Sequence, residues 1–387
     1  MTRKLKIGVA GLGRGFAVML PTLARDPRVA LMAAADPRVE ARARFTADFN
    51  AKTYESVEAL CSDPNVDVIY VATPHQLHAE HARLAALAGK NVLVEKPMAI
   101  SLAQCEAMIE TSRKANVHLI VGHSHSFDAP YARARQLIDG GEFGTVRMIT
   151  ALDYTDFAYR PRRPEELDTA QGGGAIFGQA AHQVDIVRLL AGERARSVRA
   201  VTGAWDRARP IDGAYAALLT FENGACATLT YSGYGHFNSD EWQNWIGEMG
   251  QKKAPSRNGR KTFASAADET AFKQSHNYGG VNHQHSRAMP EAHQHFGPII
   301  VSCEHADLRP MPDGVMIYQN GEGKLDPLPV PSIPRAEVID ELYDAVVNDK
   351  APLHDGEWAM ATLEVCLAML QSSREGREIA LDHQDKR

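Results

Sequence analysis

The sequence is short of cysteine, of long apolar runs and of concentrated basic charge, and each shortage removes a class of protein. Its five cysteines among 387 residues (Cys61, Cys105, Cys226, Cys303 and Cys366) are odd in number, widely spaced and never arranged as C-x-x-C. That pattern supports neither a disulfide scaffold nor a zinc ribbon, and it fits a reduced, cytoplasmic setting. No apolar stretch approaches the length of a bilayer span, so no membrane association is expected. The 42 Lys and Arg residues are dispersed among 48 Asp and Glu, for a formal charge of −6. A phosphate backbone needs clustered cations, so nucleic acid is not an expected partner. The opening "MTRKLKIGVAGLG" places basic residues before an apolar run, as a secretory leader would. Its glycines suit a phosphate loop better, and no small-residue cleavage site follows, so no leader is expected.

What is present is a globular composition, 44% apolar and 23% charged, in a chain long enough for two domains. In the first third, apolar runs "KIGVAG", "VALMAAAD", "VDVIYVAT", "NVLVEK" and "HLIVGH" alternate with helical stretches such as "SLAQCEAMIETSRKAN". Continuous rather than alternating apolar runs indicate strands buried on both faces, hence a parallel sheet sheathed in helices. Residues 1–127 are therefore expected to form a doubly wound α/β domain, and residues 128–387 an α+β domain with a large open, mostly antiparallel sheet. The strands "TVRMITALDY", "RSVRAVTGAW", "AYAALLTFENG" and "ACATLTYSGY" carry the second domain, with "GGAIFGQAAHQVDIVRLLAG" as its strong helix. Residues 236–296 are polar, rich in His, Gln and Asn, and weakly periodic, and are expected to form one inserted loop; a terminal helix is expected over 356–376.

Ligands of an open parallel sheet sit beyond the carboxyl ends of its strands. The first strand delivers Gly11-Leu12-Gly13-Arg14-Gly15-Phe16, a glycine loop opening a helix, with Phe16 where G-x-G-x-x-G would place its third glycine. The second ends at Asp36, followed by Arg38. A carboxylate there accepts the ribose hydroxyls of adenosine and repels a 2′-phosphate, favouring NAD over NADP, while Arg38 softens that preference; the plainer reading of Asp36 is a turn residue. Later strands deliver Thr73-Pro74-His75, then Glu95-Lys96-Pro97, then His123-Ser124-His125. Each alone is an ordinary solvated strand end; together they have the composition of an active site.

The glycine loop, "ATPHQLHAEHARLAALAGKNVLVEKP" and "GGGAIFGQAAHQVDIVRLLAG" resemble the Gfo/Idh/MocA oxidoreductases over most of the chain outside 236–296. The resemblance implies a Rossmann domain binding NAD, and a second domain whose open sheet forms a homo-oligomer, a dimer or tetramer. It implies that Lys96 and His182 lie beside the nicotinamide as catalytic residues, and that Asp185, one helical turn on, contacts substrate. Cofactor contacts are expected from Gly11, Gly13, Arg14, Gly15, Phe16, Asp36, Arg38, Thr73, Pro74, His75, His78, Glu95, Lys96, Pro97 and His123. The aspartate usual four residues before the histidine is replaced by Gly178, so Asp185 or Gln179 would have to orient His182. A basic pair common after the fifth strand is likewise replaced, by His125-Ser126.

Oxidising an alcohol requires a hydride acceptor, a base for the hydroxyl proton and a partner for the developing alkoxide. An imidazole suits the base, so His182 takes that role and Lys96 the oxygen, with the reverse assignment open. Arg160, Arg162 and Arg163 precede the catalytic helix, and guanidinium groups bind carboxylates in bidentate fashion. Substrate contacts are therefore expected from Lys96, His125, Arg160, Arg162, Gln179 and His182; the plainer reading of the arginines is a solvated basic loop. The segments "SGYGHFNSDEWQNWIGEMGQKK" and "HQHFGPIIVSCEHADLRPMPDGVMIY" resemble the phthalate 4,5-cis-dihydrodiol dehydrogenases of that family. That implies NAD-dependent oxidation of a ring cis-diol carrying carboxylates, with a sugar or polyol dehydrogenase or a non-catalytic NAD-binding regulator as alternatives. His283-x-His285 and His293-x-His295, flanked by His276 and His305, invite a metal, but hydride transfer needs none and no metal is expected.

Overall fold

The computed structural model describes residues 3–255, 262–283 and 289–385. The chain forms two compact units, neither continuous in sequence. Among the described residues the first draws on 3–123, 263–283 and 333–360, and the second on 124–255, 262, 289–332 and 361–385. The expected single boundary at 127 thus gives way to a first unit completed by two later segments. The expected loop 236–296 divides between the units: residues 239–243 form a 3-10 turn in the second, while Ala266–His276 is a helix in the first. That helix starts at a Ser265 N-cap, whose hydroxyl accepts from the Asp268 amide, a local start signal that weak apolar periodicity conceals.

The first unit holds a six-stranded parallel sheet built from β1 (Leu5–Ala10), β2 (Val29–Ala35), β3 (Lys52–Tyr54), β4 (Val68–Val71), β5 (Asn91–Val94) and β6 (Leu119–Val121). Its order is β3-β2-β1-β4-β5-β6, the doubly wound arrangement in which the order reverses beside β1. Ile7, Val9, Val68, Val71, Val92, Val94 and Ile120 are fully buried, which is why these runs are apolar without alternation. The helix Leu102–Ala115 between β5 and β6 is fixed at both ends: the Ser101 hydroxyl accepts from the Gln104 amide at 3.3 Å, and Asn116 turns the chain at φ +54°. Residues 333–360 finish this unit. Val338, Ile339 and Leu342 of the helix Ala336–Asn348 are buried, Arg28 pairs with Asp340 at 2.6 Å, and the His354 carbonyl accepts from the Val121 amide on β6 at 2.8 Å.

The second unit holds a nine-stranded sheet: β7 (Val146–Tyr154), β8 (Ala195–Gly203), β9 (Ala214–Phe221), β10 (Cys226–Ser232), β11 (Ile299–Cys303), β12 (Asp307–Met311), β13 (Gly314–Gln319), β14 (Glu322–Pro327) and β15 (Ile379–Ala380). Its order is β14-β13-β12-β11-β7-β10-β9-β8-β15, and every pairing is antiparallel except β7 with β10. The expected open, mostly antiparallel sheet is thus observed. Its strands alternate: Ile149, Ala151, Leu219, Ala227, Leu229 and Val301 are buried, whereas Met148, Leu218 and Ile300 are exposed. The helix Ala181–Ala191, buried at every residue, packs on β7 and β10. A helix also runs Gly356–Glu375, close to the expected span. No helix among the described residues is long and apolar enough to cross a membrane.

Candidate active site

In the first unit the glycine loop follows β1. Gly11 has φ +93°, and a Cβ there would lie 2.8 Å from the Ala72 carbonyl oxygen just past β4. Gly13 caps the helix Arg14–Arg25 without a side chain, and a Cβ at Gly15 would come within 3.2 Å of Glu95 Cγ. The loop is therefore stripped of side-chain atoms where first-turn amides seek an acceptor, the cradle that a pyrophosphate fits. Arg14 is exposed at the start of this helix. Phe16 belongs to the core instead of to a cofactor surface: it is fully buried, 5.9 Å from the Phe45 ring and edge-on to Tyr278 at 5.0 Å. The motif lacks its third glycine because this helix packs through an aromatic ring.

Asp36 at the end of β2 accepts the Leu12 amide at 2.8 Å on Oδ2 and the Arg38 amide at 2.9 Å on Oδ1. Arg38 Nε also donates to it at 2.9 Å, so the two residues form one ion pair beside the glycine loop. Thr73, Pro74 and His75 are half-buried past β4, with the His81 ring nitrogen 3.0 Å from Thr73 Oγ1. His78, expected at the cofactor, is fully buried: Nδ1 lies 2.8 Å from the Pro97 carbonyl and Nε2 2.8 Å from that of Thr73. It braces the ends of β4 and β5 together, and burial pushes its pKa down. Glu95, expected at the cofactor, accepts from the Tyr70 hydroxyl. Burial pushes its carboxyl up, against the opposing pull of Tyr70 and the Arg335 charge. Lys96 is half-buried at the next position, joined by a cis peptide to Pro97, and His123 is buried after β6.

In the second unit His182 sits on the first turn of Ala181–Ala191, almost fully buried, with its ring 4.7 Å from that of His125 and 4.9 Å from Phe296. His125 Nδ1 lies 2.6 Å from Asp128 Oδ2, and Nε2 lies 3.6 Å from Glu248 Oε1. Burial alone would strip the charge from His125; the Asp128 and Glu248 carboxylates outweigh it, and its pKa is raised. This dyad packs where the sequence suggested that Asp185 or Gln179 would serve His182. Asp185 instead accepts from the Ser126 hydroxyl and from Thr362 Oγ1 at 2.9 Å, tying the loop after β6 to the helix Gly356–Glu375. It is an interior tie, because its carboxylate is engaged by two hydroxyls from different segments. Gln179 lies almost buried in a π-helical turn, Ile176–Ala180. A Cβ on Gly178 would stand 2.9 Å from Phe157 Cζ, so an aromatic ring occupies the space in which an aspartate would stand.

Arg160 Nε donates to Asp156 at 2.9 Å, and Nη1 lies 3.8 Å from Glu248. Burial works against its charge, but Glu248, Tyr231 and Asp156 together keep the guanidinium protonated. Arg162 stacks over the Phe157 ring, 3.9 Å from its centroid, and donates to the Phe157 carbonyl at 2.9 Å. Nearby, burial pushes the Asp153 carboxyl up to about 7, with the Ser239 hydroxyl donating to it at 2.5 Å. Two of the histidines weighed as metal ligands have backbone partners: His293 Nε2 lies 2.8 Å from the Pro329 carbonyl and His295 Nε2 2.8 Å from that of Ile246. His285 lies outside the described residues.

Residues 5–123 match the oxidoreductase family with an NAD-binding Rossmann fold, Gfo/Idh/MocA, and residues 131–251 match the Gfo/Idh/MocA C-terminal domain. The chain belongs to the Gfo/Idh/MocA family of oxidoreductases. Among similar Gfo/Idh/MocA proteins is 1-carboxy-3-chloro-3,4-dihydroxycyclohexa-1,5-diene dehydrogenase of Comamonas testosteroni, 47% identical over 96% of this chain and 95% of its own. A protein of Bordetella bronchiseptica RB50 of known crystal structure superposes with TM-score 0.92 at 39% identity, over 97% of this chain and all of that one. The WlbA dehydrogenase of Bordetella pertussis, solved with NADH and UDP-GlcNAcA, shares the fold at TM-score 0.73 and 22% identity, over 99% of both chains. As a Gfo/Idh/MocA oxidoreductase the chain uses NAD, and the side-chain-free loop at Gly11, Gly13 and Gly15 fits that dinucleotide. Asp128, Asp153, Glu248 and Tyr278 are the participants that sequence reasoning missed. Of these only Asp128, three residues beyond His125, stood close enough in the chain to have been paired with a named residue.

Proposed function

We propose that this chain oxidises a cis-vicinal diol on a carboxylated cyclohexadiene ring, a class that includes the cis-4,5-dihydrodiol of phthalate and monocarboxylate ring diols. The observation that carries this reading is the nearly end-to-end 47% identity to an enzyme whose name specifies a ring diene with one carboxyl and vicinal hydroxyls. The second unit supports it with Arg160 and Arg162, on the segment leading into the helix of His182. Both guanidinium groups already have protein partners, which suits a substrate that exchanges for Glu248 or Asp156 at Arg160.

NAD, when bound, supplies the acceptor for the hydride that leaves the carbinol carbon. Lys96 holds the substrate oxygen and stabilises the negative charge that develops there. His182 takes the hydroxyl proton, with the charge-carrying His125–Asp128 pair packed edge-on beside its ring. The product is an enone that tautomerises to the aromatic diol, and the gain of aromaticity draws the oxidation forward. The five free cysteines support a reduced, cytoplasmic setting.

Absorbance of the reduced nicotinamide during incubation with NAD tests the reading. Turnover of ring dihydrodiols is expected, and turnover of inositol or glucose without any dihydrodiol would overturn it. Lys96→Ala should lower kcat by about 100-fold while NADH binding stays within about twofold.

A further inference from the structure

Residues 263–283, part of what the sequence presents as one polar loop, dock on the nucleotide-binding unit at the end of β2. Tyr278 is fully buried there, edge-on to Phe16, and its hydroxyl donates to Asp48 at 2.7 Å. Gly279 follows at φ +80°, so close to the helix Val39–Phe49 that a Cβ would lie 2.6 Å from Ala41 Cα. Between them this segment brings the Tyr278 carbonyl to Arg38 Nη1, at 3.3 Å.

Arg38 is the cation that would welcome a 2′-phosphate on adenosine ribose. Its Nε and Nη2 donate to Asp36 at 2.9 and 3.1 Å, Nη2 also donates to the Leu12 carbonyl at 2.8 Å, and Nη1 is turned to Tyr278. Four contacts thus engage a group that has five N–H donors. Arg42, the next cation along, is similarly engaged by the Asp36 and Pro37 carbonyls and by Glu55. We propose that the 263–283 segment is a cofactor-selectivity clamp: it pins Arg38 against Asp36, so that the carboxylate meets the ribose hydroxyls and the Arg38 cation is withheld from a 2′-phosphate. This rests on the assignment of Asp36 to the adenosine ribose.

Fluorescence titration of the full chain with NADH and with NADPH tests the clamp. Tyr278→Ala removes the ring that seats the segment, and should tighten NADPH about tenfold relative to NADH, the scale of one charge-assisted contact. Adding Arg38→Ala should abolish that gain. Should Tyr278→Ala not fold, Gly279→Ala displaces the same carbonyl from the opposite side. A folded variant with an unchanged NADPH-to-NADH ratio, or a gain that survives Arg38→Ala, overturns the clamp. Asp36→Ala separates the two levels. If it leaves NADH binding unaltered, the ribose assignment and the clamp fall together; if it weakens NADH while the Tyr278 variant does nothing, the clamp alone falls.

Discussion

Asp153 is a carboxyl placed where ionisation is costly. Burial pushes it up to about 7, with Glu248 and Asp240 adding to the rise and Ser239 and Arg160 opposing it. Because the folded-state pKa lies above the unfolded value near 3.8, the folded protein holds an extra proton between these limits. Stability from this group is therefore complete below about pH 4 and is lost as pH rises through 7. Asp153→Asn keeps an acceptor for the Ser239 hydroxyl and removes the ionisation. It should raise stability at pH 8 by about 1–3 kcal/mol, with the gap closing towards pH 4. Melting temperatures at both pH values check this, and an equal gap at the two would refute it. None of this is legible in "TALDYTD", where Asp153 reads as a polar strand residue, because the Ser239 hydroxyl and the Glu248 charge that act on it come from far along the chain. His125 was legible as a strand-end residue, but its raised pKa comes from Asp128 and Glu248, of which Glu248 reaches it only through the fold.

At the scale of elements, the entry to the His182 helix shows how two segments constrain each other. The π-helical turn Ile176–Ala180 carries Gly178 against the Phe157 ring, and that ring in turn carries Arg162. Gly178→Ala must push Phe157 aside and should cost about 1–3 kcal/mol of stability. Phe157→Ala opens the space and should make the alanine at 178 tolerable again. Denaturant unfolding of the two single variants and the double variant checks the coupling, and additive losses would exclude it. The sequence showed the glycine as a departure from the family pattern; the ring that explains it stands 21 positions earlier (178 − 157). The parallel strands and their helices were readable because continuous burial leaves an uninterrupted apolar record. Strands β11 to β14 were not identified, although Asn320-Gly321 between β13 and β14, at φ +56° and +80°, is a strong two-residue hairpin signature. These strands are short, and β14 is largely exposed, so the apolar alternation that marks a strand is faint.

At the scale of the whole molecule, the nine-stranded sheet exposes Ile300, Met148 and Leu218 on one face. Ile300 pairs with Thr150, Thr150 with Thr228, and Thr228 with Leu218, so the row crosses four strands. We propose that a second copy of the chain covers this face, because Ile300, Met148 and Leu218, large apolar side chains exposed on one face of an open sheet, mark an interaction surface. Ile300→Glu with Leu218→Glu should shift the mass measured by light scattering towards that of one chain, and an unchanged oligomer would rule out this face. The two-unit plan was legible from the change in strand grammar near residue 128, but its interleaving was not. Residues 263–283 and 333–360 carry no sequence mark of the unit that they join.

That interleaving has a consequence for synthesis. Strand β6 ends its sheet, and its outer edge meets the backbone of His354 and Asp355. A ribosome delivers this cover only after eight of the nine strands of the other sheet have emerged. Through most of translation the nascent nucleotide-binding fold therefore carries a bare edge, the state in which neighbouring chains on one messenger would most readily zip together.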